Sequence, residues 1–400
     1  MTDRINEFIT YITFRCNYKC KMCTQEGISQ MKELSAKEWD KIFKDIEKNY
    51  PDSTLIILGG EPTLHKDFVE ILERATCRNI NKHIVTNGYF LEKYLPDIKR
   101  NYCGVTVSID GIGKTHDTIR NHEGAFEKAE NVLMKMHEMN QHLLPEEEPI
   151  YYNINFVLLP DNIDEIYDFI DRMLKHDPRE IVLNHPRYVS TEKDNEMHTI
   201  MTDLYTHSYT QRLMMRQDTG FSEEYVQKLN KIIEDIKSKY DPKIIKEFPN
   251  FTEQERLDYY NDEKAYKLRK NQRCLSPQKI PFFFPDGTIA SCLYNVLGNA
   301  TKQPIEKIWN NEIANKTRFY LNKNGNFPTC ARCTCFYKEE CEESLTITSD
   351  KNTFTKECRL RLNPTKDTSS NPQNGVFMNA RASNYFKNFH LLRHQNSLQQ

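Results

Sequence analysis

From residue 8 to residue 183 the chain alternates short β-branched or aromatic stretches with amphipathic ones of helical spacing, and nothing else in it restricts the fold as strongly. Strand signals fall at 8–14, 54–58, 83–85, 105–108, 153–158 and 180–183, and helical signals at 68–74, 92–98, 125–139 and 163–174. The first helix is announced by a capping box, Ser35 with Glu38, ahead of Trp39, Ile42, Phe43 and Ile46 at three- and four-residue steps. Strands separated in this way by helices predict a parallel α/β sheet, because parallel neighbours need a crossover that carries a helix outside the sheet. Periodicity leaves open whether the sheet closes, closes partly or stays open.

Residues 190–272 are mostly charged and lack strand signals, while Val226, Leu229, Ile233, Ile236 and Tyr240 keep helical spacing. They read as a helical insert whose apolar stripe packs on the sheet. Beyond Asn363 the chain is rich in Asn, Gln and Ser and reads as a tail, with one short helix around Tyr385, Phe386, Phe389 and Leu392. The expected organisation is a core at 1–189, an insert or linker at 190–272, a cysteine-rich domain at 273–362 and a tail at 363–400.

Hydrophobic residues at 38% suffice for a core, and a formal net charge of -2 gives no overall reason to bind nucleic acid or an anionic membrane. No apolar run reaches the roughly 18–20 residues of a membrane helix, and the first residues lack a basic stretch followed by an apolar one. The expected location is the cytoplasm, with no membrane partner. There the 12 cysteines, which cluster at close spacings, favour metal ligation over disulfides.

Cys16, Cys20 and Cys23 form C-x3-C-x2-C directly after the first strand, where parallel α/β barrels carry their active sites. Three thiolates leave one iron of a four-iron cluster open to a ligand, although zinc also suits such donors. The second strand ends in Gly59, Gly60, Glu61 and Pro62: glycines admit a ligand to the backbone and Glu61 adds negative charge. The third ends in Thr86-Asn87-Gly88 and the fourth in Ser108-Ile109-Asp110-Gly111, groups suited to sugar hydroxyls, and Arg120 could clamp a carboxylate through two N–H donors. Cys77 and Cys103 read as ordinary core cysteines.

Taken together, these residues resemble the radical S-adenosylmethionine (SAM) superfamily from about residue 9 to residue 183. The resemblance implies a partial (β/α)6 TIM-like barrel and a [4Fe-4S] cluster on Cys16, Cys20 and Cys23 whose open iron chelates SAM. It implies further that Gly59, Gly60 and Glu61 hold the methionyl ammonium, with Ser108 and Asp110 near the ribose and Arg120 near the methionyl carboxylate. Met22 stands where the family often has an aromatic residue. The chemistry implied is reductive cleavage of SAM to a 5′-deoxyadenosyl radical that abstracts hydrogen, driven by an electron donor such as flavodoxin or ferredoxin.

A second group comprises Cys274, Cys292, Cys330, Cys333, Cys335, Cys341 and Cys358. An aromatic run, Phe282 to Phe284, precedes Asp286-Gly287, which predicts a hairpin turn with Cys292 on its second strand. This region resembles the SPASM and twitch auxiliary-cluster domains, departing from the fuller SPASM spacing after Cys333. The resemblance implies at least one auxiliary cluster. One cluster would use Cys274, Cys292, Cys330 and Cys333, whereas two need eight ligands where seven cysteines stand. Sulfatase-maturing relatives carry an aspartate where this chain has Leu293, which lowers the expectation of formylglycine formation. The substrate expected is a peptide or protein side chain, presented by a carrier or by the insert. A small metabolite such as an aminosugar or nucleoside is the alternative, and a zinc-stabilised, non-catalytic binding protein is a reading of another class.

Overall fold

Parallel strands need helices on the outside, and the chain supplies them in order. The computed structural model describes residues 5–23, 31–204, 215–216, 221–268, 274–292 and 295–333. Strands β1 (Glu7–Thr13), β2 (Thr54–Gly59), β3 (Asn81–Thr86), β4 (Gly104–Ser108), β5 (Tyr152–Val157) and β6 (Glu180–Asn184) pair in sequence order, each parallel to the next. Their crossovers hold α1 (Ala36–Asn49), α2 (Phe68–Cys77), α3 (Leu95–Arg100), α4 (Lys114–Arg120), α5 (Ala125–Gln141) and α6 (Ile166–Met173). The capping box forms as expected: the Glu38 amide donates to Ser35 Oγ at 3.3 Å and the Ser35 amide to Glu38 Oε2 at 2.8 Å. Trp39, Ile42, Phe43 and Ile46 are all buried.

The insert departs from expectation. A two-stranded parallel pair, β7 (Tyr188–Val189) and β8 (Met215–Arg216), flanks α7 (Thr191–Leu204). After α8 (Glu223–Lys239), strand β9 (Ile245–Phe248) adds to the main sheet parallel to β6. Its sequence, Ile-Lys-Glu-Phe, hides a strand because the charges are neutralised by tertiary partners: Lys246 Nζ lies 2.5 Å from Glu180 Oε1, and Glu247 receives Arg256 Nε at 2.6 Å. Val226, Leu229, Ile233 and Ile236 are buried, so the apolar stripe of α8 packs on the sheet as its spacing predicts. Then follow α9 (Glu253–Tyr260), α10 (Asp262–Leu268) and α11 (Ser276–Lys279).

The cysteine-rich region also joins the sheet. Strand β10 (Phe282–Phe283) runs parallel to β1, and β11 (Thr288–Cys292) and β12 (Asn295–Asn299) follow antiparallel, ahead of α12 (Ile305–Trp309) and α13 (Glu312–Asn324). The hairpin turn at Asp286-Gly287 is present, with Gly287 at φ 82°. The order across the ten-stranded sheet is β12-β11-β10-β1-β2-β3-β4-β5-β6-β9, so its two edges do not pair and the curved sheet remains a partial barrel.

Strand alternation divides the core in two. Phe8, Ile12, Leu55, Ile57, Ile84, Val105, Val107, Ile154 and Phe156 face the helices, and Ile9, Tyr11, Ile56, Leu58, Phe282 and Ala290 face the interior. Across β4 to β6 the interior face is mixed instead, with Ser108, Asn153, Asn155 and Asn184 half-buried beside Val157 and Val182. Cys103 is buried as expected, but Cys77 is exposed, because it ends α2 on the turn away from the apolar stripe. Among the described residues no helix is long and apolar enough to cross a membrane.

Arg256 fastens the insert. Its fully buried guanidinium meets Glu247, itself 2% exposed, and Glu234 at 3.0 Å, while Glu247 also takes His185 Nε2 at 2.9 Å and Lys237 at 2.7 Å. Burial alone would push the Glu247 carboxyl up, but hydrogen bonds from His185 and Arg256 outweigh it and hold the group well below the usual carboxylate range. Arg256→Met would leave that carboxylate buried with less compensation, at a cost of about 3 kcal/mol read from the urea midpoint. A depressed native pKa contributes stability above about pH 4.3 that is lost as pH falls below it. Urea midpoints measured against pH should therefore fall more steeply on the acid side for the wild type than for Arg256→Met.

Candidate active site

The C-terminal ends of β1 to β4 bring the predicted site residues to one rim. The cysteine loop leaves β1 at Thr13 and folds on its own sulfurs and carbonyls: the Tyr18 amide donates to Cys16 Sγ at 3.4 Å and the Cys23 amide to the Cys20 carbonyl at 3.0 Å. A bond of 2.9 Å from the Lys21 amide to the Ile119 carbonyl pins the loop to α4. Cys16 and Cys23 are exposed and Cys20 is half-buried. Partial withdrawal from water, and then the neighbouring Glu61, Cys20 and Cys23, push the Cys16 thiol up to about 11. A positively charged metal centre favours the thiolate form of a cysteine that ligates it. Among the described residues no three Cys, His, Asp or Glu side chains converge on a single ion. Thiolates at this spacing suit a four-iron cluster with one open iron, and zinc accepts the same donors.

The two glycines at the end of β2 have a reason that the sequence did not disclose. A Cβ on Gly59 would lie 2.0 Å from the Thr13 carbonyl oxygen, and one on Gly60 would lie 2.2 Å from that of Arg15. Gly60 and Glu61 donate their amides to these same two carbonyls at 2.9 and 2.8 Å. Glycine lets β2 lie against the base of the cysteine loop. Glu61 is fully buried, and its carboxylate receives the Thr63 amide and hydroxyl at 3.1 and 2.6 Å, the Thr86 hydroxyl at 2.8 Å and the Asn87 amide at 2.8 Å. Burial pushes its carboxyl up, and these donors oppose that.

Asp110 is fully buried beyond β4. One oxygen receives the Val157 amide at 2.7 Å, the other lies 2.5 Å from Arg120 Nη2, and the Asp110 amide donates to His116 Nδ1 at 2.9 Å. The two-donor clamp expected of Arg120 is not seen: only Nη2 meets a carboxylate, that of Asp110, and Nη1 reaches Cys20 Sγ at 3.8 Å. Ser108 ends β4 half-buried on the interior face. Around this rim Asn17 Nδ2, Tyr18 Oη, His116 Nε2 and Arg120 Nε are buried without a hydrogen-bond partner. Unpartnered buried polar atoms of this kind fit a polar ligand. Sequence reasoning missed the ring cluster beside them, in which Tyr18 lies 4.6 Å from His122 and 5.9 Å from Tyr89. Asn87, expected at the end of the third strand, donates instead to Asn17 Oδ1 at 2.9 Å and ties β3 to the cysteine loop.

Cys274, Cys292, Cys330 and Cys333 form a second group, and all four are thiols. Burial first, then Cys274, Cys333 and Cys292, push the Cys330 thiol well above its ordinary value. The Cys333 amide donates to the Cys330 carbonyl at 3.2 Å, repeating the turn of Cys20 and Cys23. Cys335, Cys341, Cys358 and Leu293 lie outside the described residues. Register fixes where this second group sits. Ile9 pairs with Phe282 and Phe282 with Ala290, so Cys292 lies level with the start of β1, while Cys16 lies beyond its end. The seven residues of β1, roughly 20 Å at ~3.3 Å each, stand between the two sets. One apolar interior cluster, from Phe14 and Leu58 to Cys330 and Cys333, fills that span.

The regions that hold these two groups match known families. Residues 10–173 match the radical SAM superfamily, whose domain carries a [4Fe-4S] cluster and SAM, and residues 274–334 match the SPASM iron-sulfur cluster-binding domain. Among curated proteins the chain is similar to Fe-coproporphyrin III synthase of Methanosarcina barkeri, 31% identical over 40% of this chain and 39% of that one. It is also similar to the sporulation killing factor maturation protein SkfB of Bacillus subtilis, 25% identical over 40% of this chain and 38% of that one. It thus spans less than half the length of these relatives. Two solved structures share the fold at 15% identity and a TM-score of 0.56: Streptococcus suis SuiB bound to S-adenosylmethionine, over 82% of this chain and 72% of that one, and anSMEcpe with bound AdoMet, over 82% and 90%. In this chain Gly60→Ala would force the base of the cysteine loop off β2. Its expected cost is about 1–3 kcal/mol, with a drop in iron bound per chain, checked by thermal unfolding and iron assay of oxygen-free protein.

Proposed function

We propose that this chain, a radical SAM protein with a C-terminal SPASM domain, is an enzyme that abstracts hydrogen from a peptide or protein side chain. The observation that carries the reading is the placement of two cysteine groups at opposite ends of one partial barrel, with its interior between them. Cys16, Cys20 and Cys23 hold the catalytic cluster, and Gly59, Gly60, Glu61 and Ser108 border the place of SAM. Cys274, Cys292, Cys330 and Cys333 hold an auxiliary cluster. When bound, the cluster and SAM supply a hydrogen-abstracting radical, and the chain supplies position and the exclusion of water. The apolar interior over β10, β1 and β2 keeps water away, so few side chains need to act as acids or bases.

The polar groups of the interior wall favour a peptide. Asn153 and Asn155 stand on one face of β5, about 7 Å apart, which is the repeat of an extended chain. Ser108 pairs with Asn155, and Asn184 lies diagonally across on β6 with Val157 and Val182 between, so amide and hydroxyl groups able both to donate to and accept from peptide groups share this face with two valines. Similarity to SkfB, named for maturation of a killing factor, supports the same reading. A small metabolite is the second reading, supported by similarity to GTP 3′,8-cyclase of Haemophilus influenzae. An electron donor such as flavodoxin or ferredoxin would approach at exposed Cys16 and Cys23, beside exposed Lys19 and Lys21.

Iron counting after oxygen-free reconstitution tests the ligand sets: replacing Cys16, Cys20 and Cys23 by Ala should remove about four irons per chain, and replacing Cys330 and Cys333 should remove about four others. With dithionite and SAM the wild type should release 5′-deoxyadenosine, and the first variant should release none. A wild type that loads zinc and no iron overturns the proposal. Asn155→Ala should raise KM for a peptide substrate about tenfold while leaving iron content unchanged.

A further inference from the structure

Among the described residues, Arg120 is the cation of the rim that the geometry places against a cysteine of the loop. It is 9% exposed, and its three nitrogens divide their work: Nη1 donates to Cys20 Sγ at 3.8 Å, Nη2 pairs with Asp110 at 2.5 Å, and Nε has no hydrogen-bond partner. Asp110 is itself immovable. Its other oxygen takes the Val157 amide, its own amide is held by His116, and its carbonyl receives Asn162 Nδ2 at 3.0 Å. The backbone beneath is fixed as well, since the Ile119 carbonyl, one residue before Arg120, accepts the Lys21 amide, one residue after Cys20. The cysteine loop and the end of α4 are thus tied twice, through backbone and through Arg120.

We infer that Arg120 is a positioning residue of the catalytic cluster: it holds the Cys20 sulfur by an N–H···S bond and, by its charge, raises the potential at which the cluster accepts an electron, with Asp110 fixing its place and moderating its charge. A positive charge close to a thiolate stabilises the more negative, reduced state of what that thiolate ligates, and in a site this buried the effect is little screened. The inference rests on Cys20 ligating a cluster and assigns Arg120 to the sulfur side of the site rather than to the carboxylate of SAM.

The test compares wild type, Arg120→Met, Arg120→Lys and Asp110→Asn as reconstituted, oxygen-free proteins. Reduction is followed by electron paramagnetic resonance, and the catalytic cluster is recognised by the change of its signal on adding SAM. In Arg120→Met the ratio of reduced to oxidised cluster at a fixed potential should fall about tenfold, equivalent to about 59 mV for a one-electron couple. Arg120→Lys should restore most of it. Asp110→Asn should shift the ratio the opposite way, because the guanidinium then lacks its counter-charge, and opposite signs from two partners of one ion pair are not produced by a merely structural role. Unchanged ratios in iron-replete variants overturn the inference. So does a tenfold weaker SAM affinity in Arg120→Met at an unchanged ratio, which would return Arg120 to the cofactor. A wild type that binds no cluster would instead sink the function on which the inference rests.

Discussion

The ends of the first three strands are joined by one buried carboxylate, and the site is built on that junction. Glu61 accepts from Thr63, Thr86 and Asn87, which binds β2 to β3, while the amides of Gly60 and Glu61 bind β2 to the start of the cysteine loop. A charged group is expensive to bury, and four donors from fixed backbone and hydroxyl groups make this burial tolerable. The result is a rim whose geometry is set before any ligand arrives. The cysteine loop is exposed at Cys16 and Cys23, yet its base is as firmly held as the sheet.

Much of this was legible in the residues. The order of strands and helices, the capping box at Ser35, the hairpin at Asp286-Gly287 and the two cysteine groups all follow from local pattern, because each depends on neighbours a few positions away. Partnerships across the fold were not legible. Strand β9 looks like charged coil because Lys246 and Glu247 find Glu180, His185 and Arg256 only in three dimensions. The sequence presents Arg120 as a cation near a rim and cannot show that Asp110 and Cys20 flank it. Gly59 and Gly60 are recognisable as a motif, but the carbonyls that exclude a side chain there belong to residues more than forty positions earlier. The exposed Cys77 shows the same limit, since helix periodicity does not fix which turn faces solvent at a helix end.

The division of the interior wall also matters for how the chemistry is confined. Apolar side chains line the half beside β1 and β2, and amide side chains stand among valines in the half over β5 and β6. Water is kept from the half where a reactive species would be formed, while hydrogen-bonding capacity is available where a substrate must be oriented. Among the described residues the sheet has two unpaired edges, at β12 and β9.

Strand β10 is hydrogen-bonded in parallel register to β1, so the segment carrying Cys274 and Cys292 is part of the same rigid sheet as the strand leading to Cys16. A domain attached by a linker could swing, and the gap between its redox centre and the other would vary from one moment to the next. Here the gap is built in. Electron tunnelling between the two centres would then proceed over a constant distance, and its rate would be governed by the difference in driving force between them rather than by the opening and closing of the molecule.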